Sequence, residues 1–358
     1  MLTLNINIPG ATYPIVIEKD IIRTIGEKIV PYANRKKIAI ITDKNVDALY
    51  GDALINSIEK SGFQAHLIQL YPGENSKSLG VLECVYKELL AFDITKSDLL
   101  IAFGGGVIGD LTGFTAATFL RGISFIQIPT SLIAQVDSSI GGKTAVNLKE
   151  GKNLVGSFYH PKAVFIDPQL LHSLNPRFFS DGMAEVIKYG CIQDSKLFSK
   201  IETLSQKQLA YEMDEIVFRC CEIKKRIVEE DEKDENTRML LNFGHTFGHA
   251  VEKAYNYKKY THGEAVAIGM YHITRKSEEM GYTEKGTAER MKNLLIKYQL
   301  PFQFPNIEDT KLSKALSHDK KTRGKDIHLV LLKNIGNSFI HSIEKKHLIE
   351  FSQEGEKM

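Results

Sequence analysis

The run Asp98-Leu-Leu-Ile-Ala-Phe103 is almost wholly apolar and leads straight into Gly104-Gly-Gly-Val-Ile-Gly109-Asp110, which a helical pattern follows. An apolar strand, a glycine turn and a helix form the opening of a βαβ unit. The rest of the first half repeats the alternation. Lys37-Ile-Ala-Ile-Ile-Thr42 reads as a strand, with a helical stretch around Asp52–Ser61. Ala65–Leu70 is a second strand, followed by a turn at Pro72-Gly73 and a helix from Ser78 to Phe92. Ser124–Pro129 and Ala163–Asp167 complete the set. Strands alternating with helices predict an α/β, Rossmann-like domain built on a mainly parallel sheet.

After Pro176 helical periodicity takes over, in Ala184–Gln193, Leu209–Glu230, Arg238–Ala254, Gly263–Met280 and Glu284–Tyr298. The acidic run Glu229–Glu235 reads as a solvated loop, and His328–Leu332 with Ser338–Ser342 as a late pair of strands around Asn334–Asn337. At about 150 residues per domain the length allows two domains. The expectation is an α/β domain over 1–175 and an all-α domain over 176–358.

With 46 Lys+Arg against 44 Asp+Glu the chain carries +2, and neither half is strongly basic, which argues against a nucleic-acid binder. Cys84, Cys191, Cys220 and Cys221 form no CxxC pair, as expected of buried thiols in a reducing, cytoplasmic compartment. The start MLTLNINIPG lacks a signal-peptide pattern, and no apolar stretch of about 18 residues offers a membrane span.

Gly104, Gly106 and Gly109 spell GxGxxG, and amides free of Cβ crowding at a helix N-terminus suit a pyrophosphate. The expected ribose carboxylate is missing, because no Asp or Glu lies between residues 111 and 136; Asp43 could serve from another strand. Asp137-Ser-Ser-Ile-Gly-Gly-Lys-Thr144 misses a P-loop by one residue, with Asp137 where glycine is needed, and that carboxylate would repel phosphate.

Arg238, Asn242, His245 and His249 fall at i, i+4, i+7 and i+11, a polar stripe amid Met239, Leu240, Leu241, Phe243, Phe247 and Val251. On one helix they share a sector of roughly 60°, and a stripe of Arg, Asn and His suits a cleft better than solvent. His245 and His249 at i, i+4 could share a metal, with a carboxylate from Glu264 or Glu185 completing the set. Lys143, Lys152, Lys188, Lys224, Arg238, Lys320 and Lys321 are candidates to hold an anionic substrate, with Asn147 and Asn153 interleaved.

These motifs carry a family. Gly104–Asp110, Arg121-Gly122, Gln127–Ser131, Val136–Thr144, Gly151-Lys-Asn153, Ala184–Gly190, Leu241–His249 and His262–Val266 occur in one order over most of the chain. Together they make it resemble the 3-dehydroquinate synthases, sugar-phosphate cyclases of the shikimate pathway in aromatic amino acid biosynthesis. The resemblance implies that Glu185, His245 and His262 bind zinc, with cobalt able to substitute, and places His249 on the substrate side. It implies Asp137 and Lys188 near the substrate hydroxyls, and Lys224 and Arg238 at its carboxylate. Lys143, Asn153, Asn242, His249 and Lys320 or Lys321 would hold the phosphate, with Arg121 reaching in from a second subunit of a homodimer. NAD would meet Asp43, Glu74, Lys77, Gly104, Gly105, Gly106, Val107, Gly109, Asp110, Thr130, Ser131, Lys143 and Lys152. The active site is expected in the interdomain cleft.

The implied reaction converts a seven-carbon 3-deoxy sugar acid phosphate to a carbocycle with loss of phosphate. It runs through transient oxidation, β-elimination, reduction, ring opening and an intramolecular aldol, with no net redox change. Departures from the family pattern, at Ala145, Ser173–Pro176, Pro72–Glu74 and Thr130-Ser131, remove no charge or ligand. The rival readings are another sugar-phosphate cyclase, whose substrate lacks the carboxylate, a metal-dependent polyol dehydrogenase, and a silent NAD-binding protein.

Overall fold

The structure is a computed structural model that describes residues 1–234, 236–308, 326–344, 347–348 and 351. Internal contacts group Met1–Asn175 with Glu212–Lys233 as one unit, and Pro176–Tyr211 with Asp234–Met358 as another.

The chain begins with β1 (Leu2–Ile8), β2 (Ala11–Ile17), α1 (Ile25–Ile29), β3 (Lys37–Asp43), α2 (Lys44–Lys60), β4 (Gln64–Leu70) and α3 (Leu79–Ala91). It continues with β5 (Leu99–Gly104), α4 (Gly106–Thr118), β6 (Ser124–Pro129), β7 (Lys143–Leu148), β8 (Gly151–Phe158) and β9 (Val164–Ile166). Then follow α5 (Pro176–Gln193), α6 (Ser195–Thr203), α7 (Gln206–Tyr211), α8 (Met213–Glu230), α9 (His245–Ala254), α10 (His262–Glu279), α11 (Thr287–Lys297), β10 (Asp326–Asn334) and β11 (Asn337–Glu344).

In the first unit seven strands pair in the order β1-β2-β9-β6-β5-β3-β4, antiparallel at β1–β2 and parallel elsewhere. Alternate side chains of β3 face opposite layers. Ile38 and Ile40 pack with Leu54 and Ile58 of α2, whereas Ala39 and Ile41 pack with the layer of Leu82, Val85, Ile108 and Leu111 from α3 and α4. Burial on both faces accounts for the uninterrupted apolar run in β5. From β3 the chain moves outward to β4, then returns to place β5 on the other side of β3. Asp43 and Gly104 therefore end the two strands that flank the reversal of strand order, the place where open parallel sheets take ligands.

The helix α8, expected in the second domain, packs in the first unit. Cys221 Sγ donates to Gln135 O at 3.4 Å, and Glu229 Oε1 accepts from Asn7 N–H at 2.6 Å. The acidic run is also less solvated than expected, since Asp231 is buried and Glu232 Oε1 lies 3.0 Å from His160 Nε2.

Among the described residues the second unit is helical apart from the antiparallel hairpin β10–β11, which covers both predicted strand runs. Gly336 N–H in its turn donates to Cys191 O of α5 at 2.8 Å. The single helix expected over Arg238–Ala254 is instead two elements, a 3-10 turn over Thr237–Asn242 and α9 from His245. Gly244 between them has φ +78°, and a Cβ there would sit 2.8 Å from both Met270 N and Val266 O of α10. Only glycine permits that reversal while α9 and α10 touch. Among the described residues no helix is long and apolar enough to cross a membrane.

Candidate active site

In the second unit α5, α9 and α10 each contribute one residue to a compact set. Glu185 lies mid-way along α5, while His245 and His262 are the first residues of α9 and α10. Glu185 Oε1 is 3.8 Å from His245 Nε2 and 3.7 Å from His262 Nε2, and the two rings are 5.2 Å apart. Glu185 is fully buried; Lys188 meets its Oε2, and its Oε1 accepts no hydrogen bond among the described residues. A buried carboxylate left so is costly unless a cation completes it. The Lys188 ammonium forms an ion pair with it from one turn along α5. His245 Nδ1 lies 3.1 Å from Phe243 O, so donation there leaves Nε2 as the lone-pair nitrogen facing Glu185. One carboxylate and two imidazoles within 4.8 Å of one another match a divalent metal set that keeps an open position.

Burial works against a charge on His262, yet Glu252, with Glu185 and Asp181 behind it, outweighs that and raises the imidazole to about 9. The start of α10 is held from α5. Asp181 Oδ1 accepts from Gly263 N–H at 2.5 Å, and Arg177 grips Glu264 with bonds of 2.7 and 2.8 Å. Glu264, a carboxylate candidate on spacing, is thus a helix cap outside the cluster of Glu185, His245 and His262. The second spacing candidate, His249, falls instead in an overlapping set with Glu252 and His262.

In the first unit the glycine turn enters α4, where the N-cap is Gly105, which has no side chain to cap the first-turn amides. Thr130 N–H donates to Gly104 O at 3.0 Å, bringing Thr130 and Ser131 against the turn. Asp43 caps α2, its Oδ1 accepting from Asn45 and Val46 N–H at 2.9 and 3.2 Å. Lys77, buried, donates to Asp110 and, at 2.5 Å, to Asn153 Oδ1. Asn147 joins them, donating to Glu74 Oε1 at 2.7 Å and accepting from Asn153 N–H at 2.9 Å. Lys152 shares β8 with Asn153. The segment resembling a P-loop is no P-loop in the fold: Ala134–Ser138 is a wide helical turn, and Lys143 opens a strand. Lys224 donates to Asp137 O at 2.6 Å and to Asp137 Oδ1 at 2.7 Å. Arg121 ends a short turn with φ +63°.

Arg238 is buried in the 3-10 turn that ends at Asn242, whereas His249 is exposed on α9. Lys320 and Lys321 lie outside the described residues. Sequence reasoning passed over Arg177, Asp181 and Glu252. The last had a signal, since Glu252 is seven residues after His245 and returns to the same helix face.

A parallel sheet with an uncapped glycine turn beside its reversal point, and a helical unit with a Glu–His–His set, define a two-unit class of α/β–α enzymes. The structure of 2-deoxy-scyllo-inosose synthase complexed with carbaglucose-6-phosphate, NAD+ and Co2+ has this fold, with a TM-score of 0.86 and 26% identity over 98% of each chain. An iron-containing alcohol dehydrogenase shares the fold more distantly, with a TM-score of 0.67 and 13% identity over 95% of this chain and 96% of its own.

The family model of the 3-dehydroquinate synthase N-terminal region matches residues 67–181, and that of the C-terminal region residues 182–322. A 3-dehydroquinate synthase from Clostridium acetobutylicum is 51% identical over 98% of this chain and 99% of its own. One from Enterococcus faecalis is 43% identical over 98% of each chain. The chain belongs to the 3-dehydroquinate synthase family.

Proposed function

We propose that this chain converts 3-deoxy-D-arabino-heptulosonate 7-phosphate to 3-dehydroquinate and inorganic phosphate, a phosphate-eliminating lyase reaction, in the cytoplasm and as a homodimer. The observation that carries the reading is the buried Glu185 carboxylate facing two imidazole Nε2 atoms, in a chain half identical to named 3-dehydroquinate synthases. Glu185, His245 and His262 would hold the divalent ion, zinc or cobalt. Asp43, Glu74, Lys77, the Gly104–Asp110 turn, Thr130, Ser131, Lys143 and Lys152 would hold NAD, whose pyrophosphate suits the uncapped amides of α4. Bound together, the pair supplies reversible oxidation of a substrate hydroxyl polarised by a Lewis acid.

The chain's own residues grip both ends of the substrate. Lys143, Asn153, Asn242, His249 and a lysine at 320 or 321 would bind the phosphate and offset the charge that grows on it as it leaves. Lys224, with Arg238, would bind the carboxylate. Asp137 holds the Lys224 ammonium by its carbonyl and carboxylate, so that cation is fixed before substrate arrives. Lys188 would donate from its buried ammonium to a substrate hydroxyl next to the metal residues.

The test mixes the protein with the C7 sugar acid phosphate, substoichiometric NAD and zinc, and follows phosphate and NADH absorbance. Many phosphates released per NAD without NADH accumulation is the expected result. Accumulating NADH with a polyol would move the chain to the dehydrogenase reading. Turnover of a sugar phosphate that lacks the carboxylate would favour the sister cyclases, whose fold the 26%-identical neighbour shares.

A further inference from the structure

The face of α9 that begins with His245 continues through His249 to Glu252, at i, i+4 and i+7. Glu252 is 3% exposed, and a carboxylate so far from solvent needs a cationic or N–H partner. It finds His262. The imidazole of His262 spans two carboxylates, with Nε2 3.7 Å from Glu185 Oε1 and Nδ1 3.6 Å from Glu252 Oε2. At that separation the contact with Glu252 is electrostatic, and closing it by about 0.5 Å makes it an Nδ1–H···O bond.

The two histidines of the set have the same requirement and meet it differently. An imidazole that binds metal through one nitrogen donates its other N–H to an acceptor that fixes the ring and its tautomer. His245 has the backbone acceptor Phe243 O at 3.1 Å. For His262 that place is taken by Glu252. Charge points the same way. The Lys188 ammonium already pairs with Glu185, so a divalent ion at Glu185 would leave a strongly positive, buried centre. A second carboxylate behind His262 offsets it.

We infer that Glu252 is a positioning residue of the metal centre, accepting Nδ1–H of His262 so that Nε2 is presented beside Glu185. The inference rests on the metal reading above and adds a role for a residue outside the ligand set. His249, Glu252 and His262 also lie within ligand reach of one another, so direct ligation by Glu252 is the competing outcome.

The experiment titrates metal-free protein with Co2+, reading visible absorption, and with Zn2+ against a competing chelator, for the unaltered chain, Glu252→Gln, Glu252→Leu and His262→Ala. Expected is one ion per chain in both Glu252 variants with an unchanged visible band, and affinity weakened about 10–100-fold in Glu252→Leu. Glu252→Gln, which keeps a neutral acceptor, falls between. Unaltered affinity in both variants overturns the inference. So does loss of the ion as complete as in His262→Ala, which would make Glu252 a ligand. If the unaltered chain binds no ion, the metal reading itself fails, a result distinguishable from either. Thermal melting of the metal-free proteins shows whether Glu252→Leu folds; if it does not, the Glu252→Gln titration decides.

Discussion

Lys188 and Glu185, one turn apart on α5, form an ion pair in which the side chains are 2% and 1% exposed. Without metal, the ammonium is what offsets the buried carboxylate. Lys188→Met should therefore destabilise the metal-free protein by about 3–5 kcal/mol, the typical cost of stranding one member of a buried pair. Added zinc should then raise the melting temperature more in the variant than in the unaltered protein, because the ion replaces a missing partner rather than joining an existing one. Equal zinc-induced shifts would show that Lys188 does not balance Glu185.

Arg238 is almost wholly buried in the 3-10 turn before α9. Its proposed role at the substrate carboxylate predicts that Arg238→Ala lowers kcat/KM by about 10–100-fold, the worth of a charge-assisted hydrogen bond. Zinc content should stay at the unaltered level. Steady-state kinetics with parallel metal analysis checks this, and unchanged constants would remove Arg238 from the substrate site.

The parallel sheet is legible because β3, β5 and β6 are short apolar runs, with helical patterns after β3 and after the glycine turn that ends β5. The antiparallel β1–β2 pair and the β7–β8 hairpin are absent from the sequence reading. Leu2–Ile8 alternates apolar and polar residues with the period of a half-buried strand but is too polar to stand out beside the continuous runs, and the glycines before Lys143 are weighed there against a P-loop. Spacing alone paired His245 with His249, as it must when one helix is assumed. The family motifs instead joined His245 to Glu185 and His262, residues on three helices whose convergence depends on packing that no local window contains. The assignment of α8 went astray for the same reason: periodicity shows an amphipathic helix but not which layer covers it.

Gly244 and Gly281 offer a controlled comparison, because both have positive φ, at +78° and +80°. Nothing lies within 4 Å of a Cβ built at Gly281, whereas one at Gly244 meets Met270 N and Val266 O at 2.8 Å. Gly281→Ala should cost only the left-handed backbone strain, about 1–2 kcal/mol. Gly244→Ala should cost clearly more and also weaken zinc binding, because His245 follows directly and α9 must move off α10. Urea unfolding and metal titration of both variants test this; equal losses would mean that α9 and α10 separate easily.

His272 on α10 sets an acid limit to stability. Burial drives its imidazole down to about 4, against the upward pull of the Phe351 carbonyl, which accepts from Nε2 at 2.5 Å; Arg275 and Lys276 add a smaller downward push, partly offset by Glu279. Phe247 and Phe304 pack on the ring at 4.7 and 4.4 Å. Unfolded, the same group titrates near 6.5. Above 6.5 it is neutral in both states and contributes no pH dependence. As pH falls from 6.5 to 4 the unfolded chain takes up a proton that the folded chain refuses, so stability is lost across that window and no further below it. The loss amounts to about 3 kcal/mol. His272→Gln keeps a donor for the Phe351 carbonyl but cannot be protonated there. The urea stability of the unaltered protein relative to this variant should therefore drop by about that amount between pH 7 and pH 4. A difference that stays constant over the range would mean that His272 is protonated in the folded chain and that its burial does not exclude the charge.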